Sequence, residues 1–91
     1  MPAEILAIGT TLANSDDVVV AVGIPLTVCL KDAAGPLVDA YSKVLILLKD
    51  NSGEYFMVDE LSGGRPGLVI IGAGTYRFSR PAGASCGVFS G

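Results

Sequence analysis

The stretch that decides the fold is KVLILLKDNSGEYFMVDEL, residues 43–61. It opens with an aliphatic run of strand length and closes with a second run that contains aromatic and β-branched side chains. Between the two runs, Asp-Asn-Ser-Gly at 50–53 is the strongest turn signal in the chain. The sequence therefore predicts an antiparallel β-hairpin, and we expect Phe56 and Val58 of its second strand to point into the core.

The first strand of this hairpin carries aliphatic side chains on both faces. Val44, Ile46 and Leu48 fall on one face, and Leu45 and Leu47 fall on the other, because successive strand side chains point in opposite directions. Antiparallel sheets usually leave one face to water. We therefore expect either a central strand or an outer face on which Leu45 and Leu47 contact another subunit.

Outside the hairpin, Gly and Pro separate further short apolar runs, which is the spacing of strands rather than helices. Alternation is clear at 26–31 and at 75–80, and a short buried strand is predicted at 68–71. The segment 32–36 is predicted to turn, and 37–42 fits either an extended piece or one helical turn.

These patterns predict an all-β protein of seven or eight short strands. Regular turns between many strands are typical of a small antiparallel β-sandwich with Ig-like or Greek-key topology. We expect residues 16–91 to form one sandwich domain and residues 1–15 to form an N-terminal arm or edge strand. The Gly-Thr-Tyr-Arg-Phe run at 74–78 has the spacing of a tyrosine corner, although an ordinary inward Tyr fits equally well. Either way, Tyr76 is expected to be buried with its hydroxyl hydrogen-bonded.

Composition favours a subunit of an assembly. The 91 residues allow one domain, 51% of them are hydrophobic and only 16% are charged, against about 25% charged in an average protein. This composition excludes an intrinsically disordered protein, and the apolar surface exceeds what one small core can bury. The net charge of −3 argues against nucleic acid as a partner.

The inventory of reactive side chains is poor. The chain has no His, which is the commonest general base and metal ligand, and no Trp. Asn14 to Asp17 lacks the spacing of a calcium loop and is interpreted as a solvated turn. Cys29 and Cys86 fit one disulfide or two reduced thiols, and their low density favours the thiols. We predict a protein that is not an enzyme and holds no cofactor or metal.

No targeting or membrane segment is apparent in the sequence. Glu4 stands where a signal peptide would carry a basic residue, and no long apolar segment follows it. The longest apolar run, 44–48, is far shorter than the ~20 residues of a membrane span. We therefore expect synthesis in a cytoplasm and no membrane partner.

The order of charges suggests candidate contact residues. All nine acids lie within residues 1–60, whereas residues 61–91 carry three Arg and no acid. This asymmetry predicts separate acidic and basic faces, unless the strands interleave and cancel it. Arg is favoured at interfaces, and the apolar N-terminal residues could pair with the sheet edge of a neighbour. The interface candidates are Ile5, Leu6, Ile8, Leu45, Leu47, Arg65, Arg77 and Arg80.

Two segments carry a resemblance to a known class of protein. LILLKDNSGE at 45–54 and GAGTYRFSRPAGASCGV at 72–88 resemble small β-sandwich virion proteins of tailed bacteriophages, in which an "lkDdsG" hairpin and a "GTYR…RPa…GV" ending recur. The resemblance implies a capsid decoration, or cement, protein that binds and stabilises the assembled head. It also implies a virion location and a partner such as the major capsid protein, and we expect homo-oligomers.

Three other functions stay open at this point. One is a minor virion protein of the neck, tail or fibre attachment. Another is a surface module that binds a glycan or receptor, for which Tyr41 and Tyr55 are the candidate aromatic contacts. The last is a bacterial β-sandwich adaptor unrelated to phage.

Overall fold

The computed structural model describes residues 3–33 and 38–91, and the regular secondary structure there is entirely β. The strands are β1 Ala3–Gly9, β2 Ala13–Asn14, β3 Val18–Val20, β4 Leu26–Lys31, β5 Lys43–Lys49, β6 Tyr55–Ser62, β7 Gly67–Ile70, β8 Gly74–Arg80 and β9 Cys86–Ser90. The predicted fold class is confirmed. The count within the described residues is nine because the short strand β2 adds to the eight predicted runs. Part of the predicted turn at 32–36, and residue 37 of the ambiguous segment, lie outside the described residues.

The strands form two antiparallel sheets packed as a sandwich. The four-stranded sheet has the order β1-β9-β4-β7, and the five-stranded sheet has the order β2-β8-β5-β6 with β3 also paired to β8. Most connections pass from one sheet to the other, whereas β5 and β6 form the predicted hairpin within one sheet. Each sheet therefore contributes one inner face to a shared core.

The core is built from the alternating inward residues of both sheets. The four-stranded sheet buries Leu6, Val28, Leu30, Ile70, Cys86 and Val88. The five-stranded sheet buries Val20, Val44, Ile46, Leu61, Tyr76 and Phe78. Both cysteines are free, with Cys86 among these buried residues and Cys29 half-buried. The interior of the sandwich is thus apolar on both sides, and Cys86 serves in it as a small apolar residue.

β5 is a central strand of its sheet and pairs with β8 on one side and β6 on the other. A central position is one of the two alternatives predicted for a strand with aliphatic side chains on both faces. Val44 and Ile46 are buried in the core, whereas Leu45 and Leu47 on the outer face are half-buried. The neighbouring strands therefore cover the outer leucines only in part.

The expected burial of Phe56 and Val58 is wrong. β6 is an edge strand, and a bulge opposite the Ile46–Leu47 step leaves Val58 without a cross-strand partner. Phe56, Met57 and Val58 are 52–60% exposed as a result. The expected burial of the strand at 68–71 holds for only part of it. Ile70 lies in the core, whereas Val69 is exposed because β7 is the edge of the other sheet, and Ile71 is exposed just after the strand ends.

The predictions for Tyr76 are confirmed. Its ring is buried, and its hydroxyl donates a 2.7 Å hydrogen bond to the carbonyl oxygen of Gly72, four residues upstream. This bond has the form of a tyrosine corner, in which a strand is tied to the connection that precedes it. It holds the turn between β7 and β8 against the start of β8.

Candidate interaction surfaces

Arg80 belongs to the interior of the protein rather than to an interface. Its side chain is 4% exposed, Nε donates to the Thr11 carbonyl, and Nη1 donates to the carbonyls of Ala7 and Cys86 at 2.6 and 2.9 Å. A guanidinium presents several donors in a fixed plane, so one side chain can bind several backbone oxygens. Arg80 therefore joins β1, the loop after it and β9, and we correct its assignment as an interface candidate.

The N-terminal candidates lie on β1, which pairs along β9 as an edge of the four-stranded sheet. Leu6 is buried in the core, Ile5 packs against the core, and Ile8 is partly exposed. Leu6 and Ile5 stabilise the chain's own sandwich, so Leu6 in particular is unavailable to a neighbour. The sequence could not decide this, because an apolar strand looks the same whether it pairs within its own chain or with another.

The remaining arginines are paired with acids from the first part of the chain. Arg65 lies 3.2 Å from Asp59, and Arg77 lies 3.7 Å from Asp17. Lys43 pairs in the same way with Glu60. Because strands from both parts of the sequence interleave, the charge asymmetry does not produce a separate basic face among the described residues.

A polar cluster of Asp17, Lys49, Tyr55 and Arg77 lies on the outer face of the five-stranded sheet. The Tyr55 hydroxyl donates to Asp17 Oδ1 at 2.7 Å and accepts from Arg77 Nη2 at 3.0 Å. The guanidinium carbon of Arg77 lies 3.9 Å from the centroid of the Tyr55 ring, which is a stacked cation–π contact. Lys49 Nζ lies 3.5 Å from Asp17 Oδ2.

A bulge brings Asp17 into this cluster. Asn14 pairs with Ser79 and Val18 pairs with Tyr76, so the edge formed by β2 and β3 has one residue more than β8 between these pairs. Bulges of this kind redirect side chains at sheet edges. Ser15 closes the gap, because its N–H donates to the Phe78 carbonyl and its Oγ accepts from the Phe78 N–H at 3.0 Å. The predicted solvated turn at residues 14–17 is wrong for Ser15, which is buried, and it does not include the contact of Asp17 with Tyr55.

The contacts within the cluster move two pKa values in opposite directions. The hydrogen bond from Tyr55 is the main cause that lowers the pKa of the Asp17 carboxyl below its ordinary value. The same hydrogen bond to Asp17 is the main cause that raises the pKa of the Tyr55 hydroxyl above its ordinary value. The cluster is therefore held together while Asp17 is ionised and Tyr55 is protonated.

Tyr41 and Tyr55 do not form one aromatic platform. Tyr41 lies just before the start of β5, and Tyr55 pairs with Lys49 at its end, which separates them by roughly 20 Å along the strand. In addition, one face of the Tyr55 ring is covered by Arg77. No observation on these residues favours a glycan-binding site.

Three of the five most exposed aliphatic side chains lie in strand connections at one end of the sandwich. Three strand connections, 21–25, 50–54 and 71–73, lie at this end because the strand ends that they join are cross-strand neighbours. Val22, Ile24 and Ile71 project from two of these connections and are 66–86% exposed. We call these three residues the apolar tip. The sequence feature that indicates the apolar tip is the presence of aliphatic residues in turns marked by Gly and Pro, where polar residues are usual.

The described residues contain no pocket, no group of three or more potential metal ligands and no helix that could cross a membrane. No protein-family model, curated protein or solved structure matches the chain.

Proposed function

We propose that this protein is a structural subunit of a larger protein assembly, and specifically a decoration protein of a tailed-phage head. The observation that carries the proposal is the apolar tip, where three aliphatic side chains project from connections at one end of a rigid sandwich. Exposed apolar residues grouped in this way are typical of protein contact sites. Binding residues are also often placed on loops that a rigid scaffold holds in position.

The phage assignment is supported by the resemblance of residues 45–54 and 72–88 to virion β-sandwich proteins. These two segments contribute the β5–β6 turn and the strands β8 and β9, which belong to the framework that holds the tip. In this proposal the partner is the major capsid protein or another shell protein, and the protein is located on the virion surface. A ligand that binds only the assembled shell stabilises it by mass action.

In this proposal the side chains of the apolar tip become buried when the protein binds the shell. Burying a side chain of Val or Ile contributes about 1.5–3 kcal/mol when the burial is complete. Three such side chains supply enough free energy for a weak contact, and many copies on one particle would add their effects. The expected contact is therefore apolar at its centre and only weakly sensitive to salt.

The test is the copy number of the chain in purified particles from its source, measured by quantitative mass spectrometry. A decoration protein is expected in numbers comparable to the shell subunit. A few copies per particle would instead indicate a minor protein of the neck, tail or fibre attachment. Complete absence from particles would overturn the virion proposal and favour a bacterial adaptor.

A variant pair tests whether the tip makes the contact. Val22→Ser combined with Ile24→Ser should reduce the copy number at least tenfold, because both substitutions remove apolar contact area. The matched control is Leu12→Ser, since Leu12 is 69% exposed and lies outside the tip, in the loop that follows β1. Equal incorporation of the double variant and the control would show that another surface binds the shell.

A further inference from the structure

Among the sheet edges of the described residues, the first half of β6 lacks the usual protection against pairing with another strand. Natural proteins blunt exposed edges with Lys, Pro, bulges or inward-pointing charges. In β6, the bulge at Val58 and the inner-face Asp59 protect the second half, and Ser62 is already bridged to Arg65. Residues 55–57 have none of these devices.

The residues of this open segment alternate regularly between the two faces of the sheet. Tyr55 and Met57 lie opposite Lys49 and Leu47 on the outer face, and Phe56 lies opposite Leu48 on the inner face. Backbone groups on the free side of the segment have no partner strand among the described residues. A strand that paired here would satisfy these groups and cover the exposed Phe56 and Met57 at the same time.

We propose that the occupant of this edge is the same segment of a second copy, paired antiparallel about a two-fold axis through Phe56. In that register Phe56 lies opposite Phe56 of the second copy, and Tyr55 lies opposite its Met57. Every pair then shares a face of the continued sheet, as side-chain alternation requires. Registers that include Asp59 cross the bulge, so they pair inner-face with outer-face residues or place a carboxylate against an aromatic ring.

The pairing is self-complementary in chemistry as well as in geometry. Aromatic pairs directly opposite each other stabilise antiparallel strands, and Met sulfur makes favourable contacts with aromatic rings. The only charged residue next to the segment is Glu54, which comes opposite the apolar Val58, so no like charges face each other. The segment is therefore chemically compatible with pairing to the same segment of a second copy.

The expected dimer is weak and depends on concentration. Three or four paired residues bury less than the ~1,200 Å² typical of the smallest specific interfaces. Sedimentation velocity across a concentration series should show a monomer at low micromolar protein and a dimer at high concentration. A monomer at every concentration would overturn the proposal.

The two-fold axis permits a decisive variant test at Phe56. Phe56→Lys and Phe56→Glu should each abolish the dimer, because like charges then face each other across the axis. An equimolar mixture of the two variants should dimerise again, since the two charges become opposite. Thermal unfolding of each variant in dilute solution checks that the monomer still folds.

The matched control is Val69→Lys, since Val69 is about half exposed on β7, the edge strand of the other sheet. This variant should dimerise as the unmodified chain does. Loss of the dimer in the control but not in the Phe56 variants would assign the contact to β7 and overturn the proposal. Failure of the mixture to recover would exclude the two-fold register through Phe56. None of these outcomes depends on the presence of the chain in virions, so this test and the particle test can fail separately.

Discussion

β1 and β6 are both long edge strands, yet the protein treats them in opposite ways. β1 departs twice from regular pairing with β9, is held by the guanidinium of Arg80, and carries the ion pair between Glu4 and Lys31. β6 has one bulge and leaves three consecutive apolar side chains exposed. The difference teaches that one edge strand is irregular and tied to the interior of the sandwich, whereas the first half of the other is regular and has no such attachment.

β1 is also packed closely against its neighbour β9. A Cβ atom added at Gly87 would lie 2.6 Å from the Leu6 carbonyl oxygen, so β1 crosses β9 at a distance that only glycine permits. Together with Arg80, this close approach attaches β1 firmly to the sandwich. The outer side of β6 has no partner strand among the described residues.

Removing the Arg80 guanidinium should produce the largest effect. Arg80→Met keeps the length and apolar stem of the side chain but leaves the carbonyls of Ala7, Thr11 and Cys86 without this donor. We expect a loss of about 3 kcal/mol or more in the free energy of unfolding, because three hydrogen bonds from a charged donor are lost and each such bond contributes about 1.5–3 kcal/mol. Denaturant unfolding measures it. Arg65→Met, at an exposed arginine, is the control. Similar losses in the two variants would show that the attachment of β1 to the sandwich does not depend on Arg80.

The same substitution, made in the core beside β1 and on the exposed part of β6, sharpens the comparison. Val88→Thr places a hydroxyl in the core beneath β1, where Val88 pairs with Leu6, and should cost about 1–3 kcal/mol. Val58→Thr places the same group on the exposed part of β6 and should change stability by less than about 0.5 kcal/mol. Chemical denaturation of dilute protein gives both values. A large loss for Val58→Thr would mean that the β6 edge is covered even in the monomer.

Ser15 tests the third edge, which is made of β2 and β3. Ser15→Ala removes the acceptor of the buried Phe78 N–H and should cost about 1–2 kcal/mol. Ser52→Ala, in the exposed hairpin turn, should cost less than about 0.5 kcal/mol. Amide exchange at Phe78 should accelerate in the Ser15 variant alone. An unchanged exchange rate would show that the interruption between β2 and β3 closes without the hydroxyl.

The smallest expected effect concerns the outer face between the edges. Because its folded-state pKa is lowered, Asp17 stabilises the fold above its unfolded pKa, and this contribution is lost as the pH falls through the folded value. Tyr55→Phe removes the main cause and should move the Asp17 pKa upward, towards its ordinary value, in an NMR titration of the carboxyl. Tyr41→Phe, at a residue that lies before the opposite end of β5, should leave the Asp17 pKa unchanged. The hypothesis fails if the two variants behave alike.

Several features could be predicted because they depend on local patterns. The turn at 50–53, the alternation of β4 and β8, and the burial of Tyr76 follow from residues close together in the chain, and the structure has all of them. The exposure of the interface candidates depends on contacts between distant residues, so the sequence could not predict it. Leu45 and Leu47 do lie on a partly exposed outer face, whereas Leu6 and Arg80 are buried.

The sequence by itself determined that this chain is all-β, that residues 43–61 form a hairpin, and that its apolar surface exceeds one core. Periodicity and turn chemistry act over a few residues, so they can be read without the fold. Only the tertiary structure decided which strands became edges, that Arg80 points inward to three carbonyls, and that Asp17 reaches Tyr55. Those outcomes depend on strand order and on bulges, which bring together residues as far apart as 7 and 80, and no local pattern encodes such pairings.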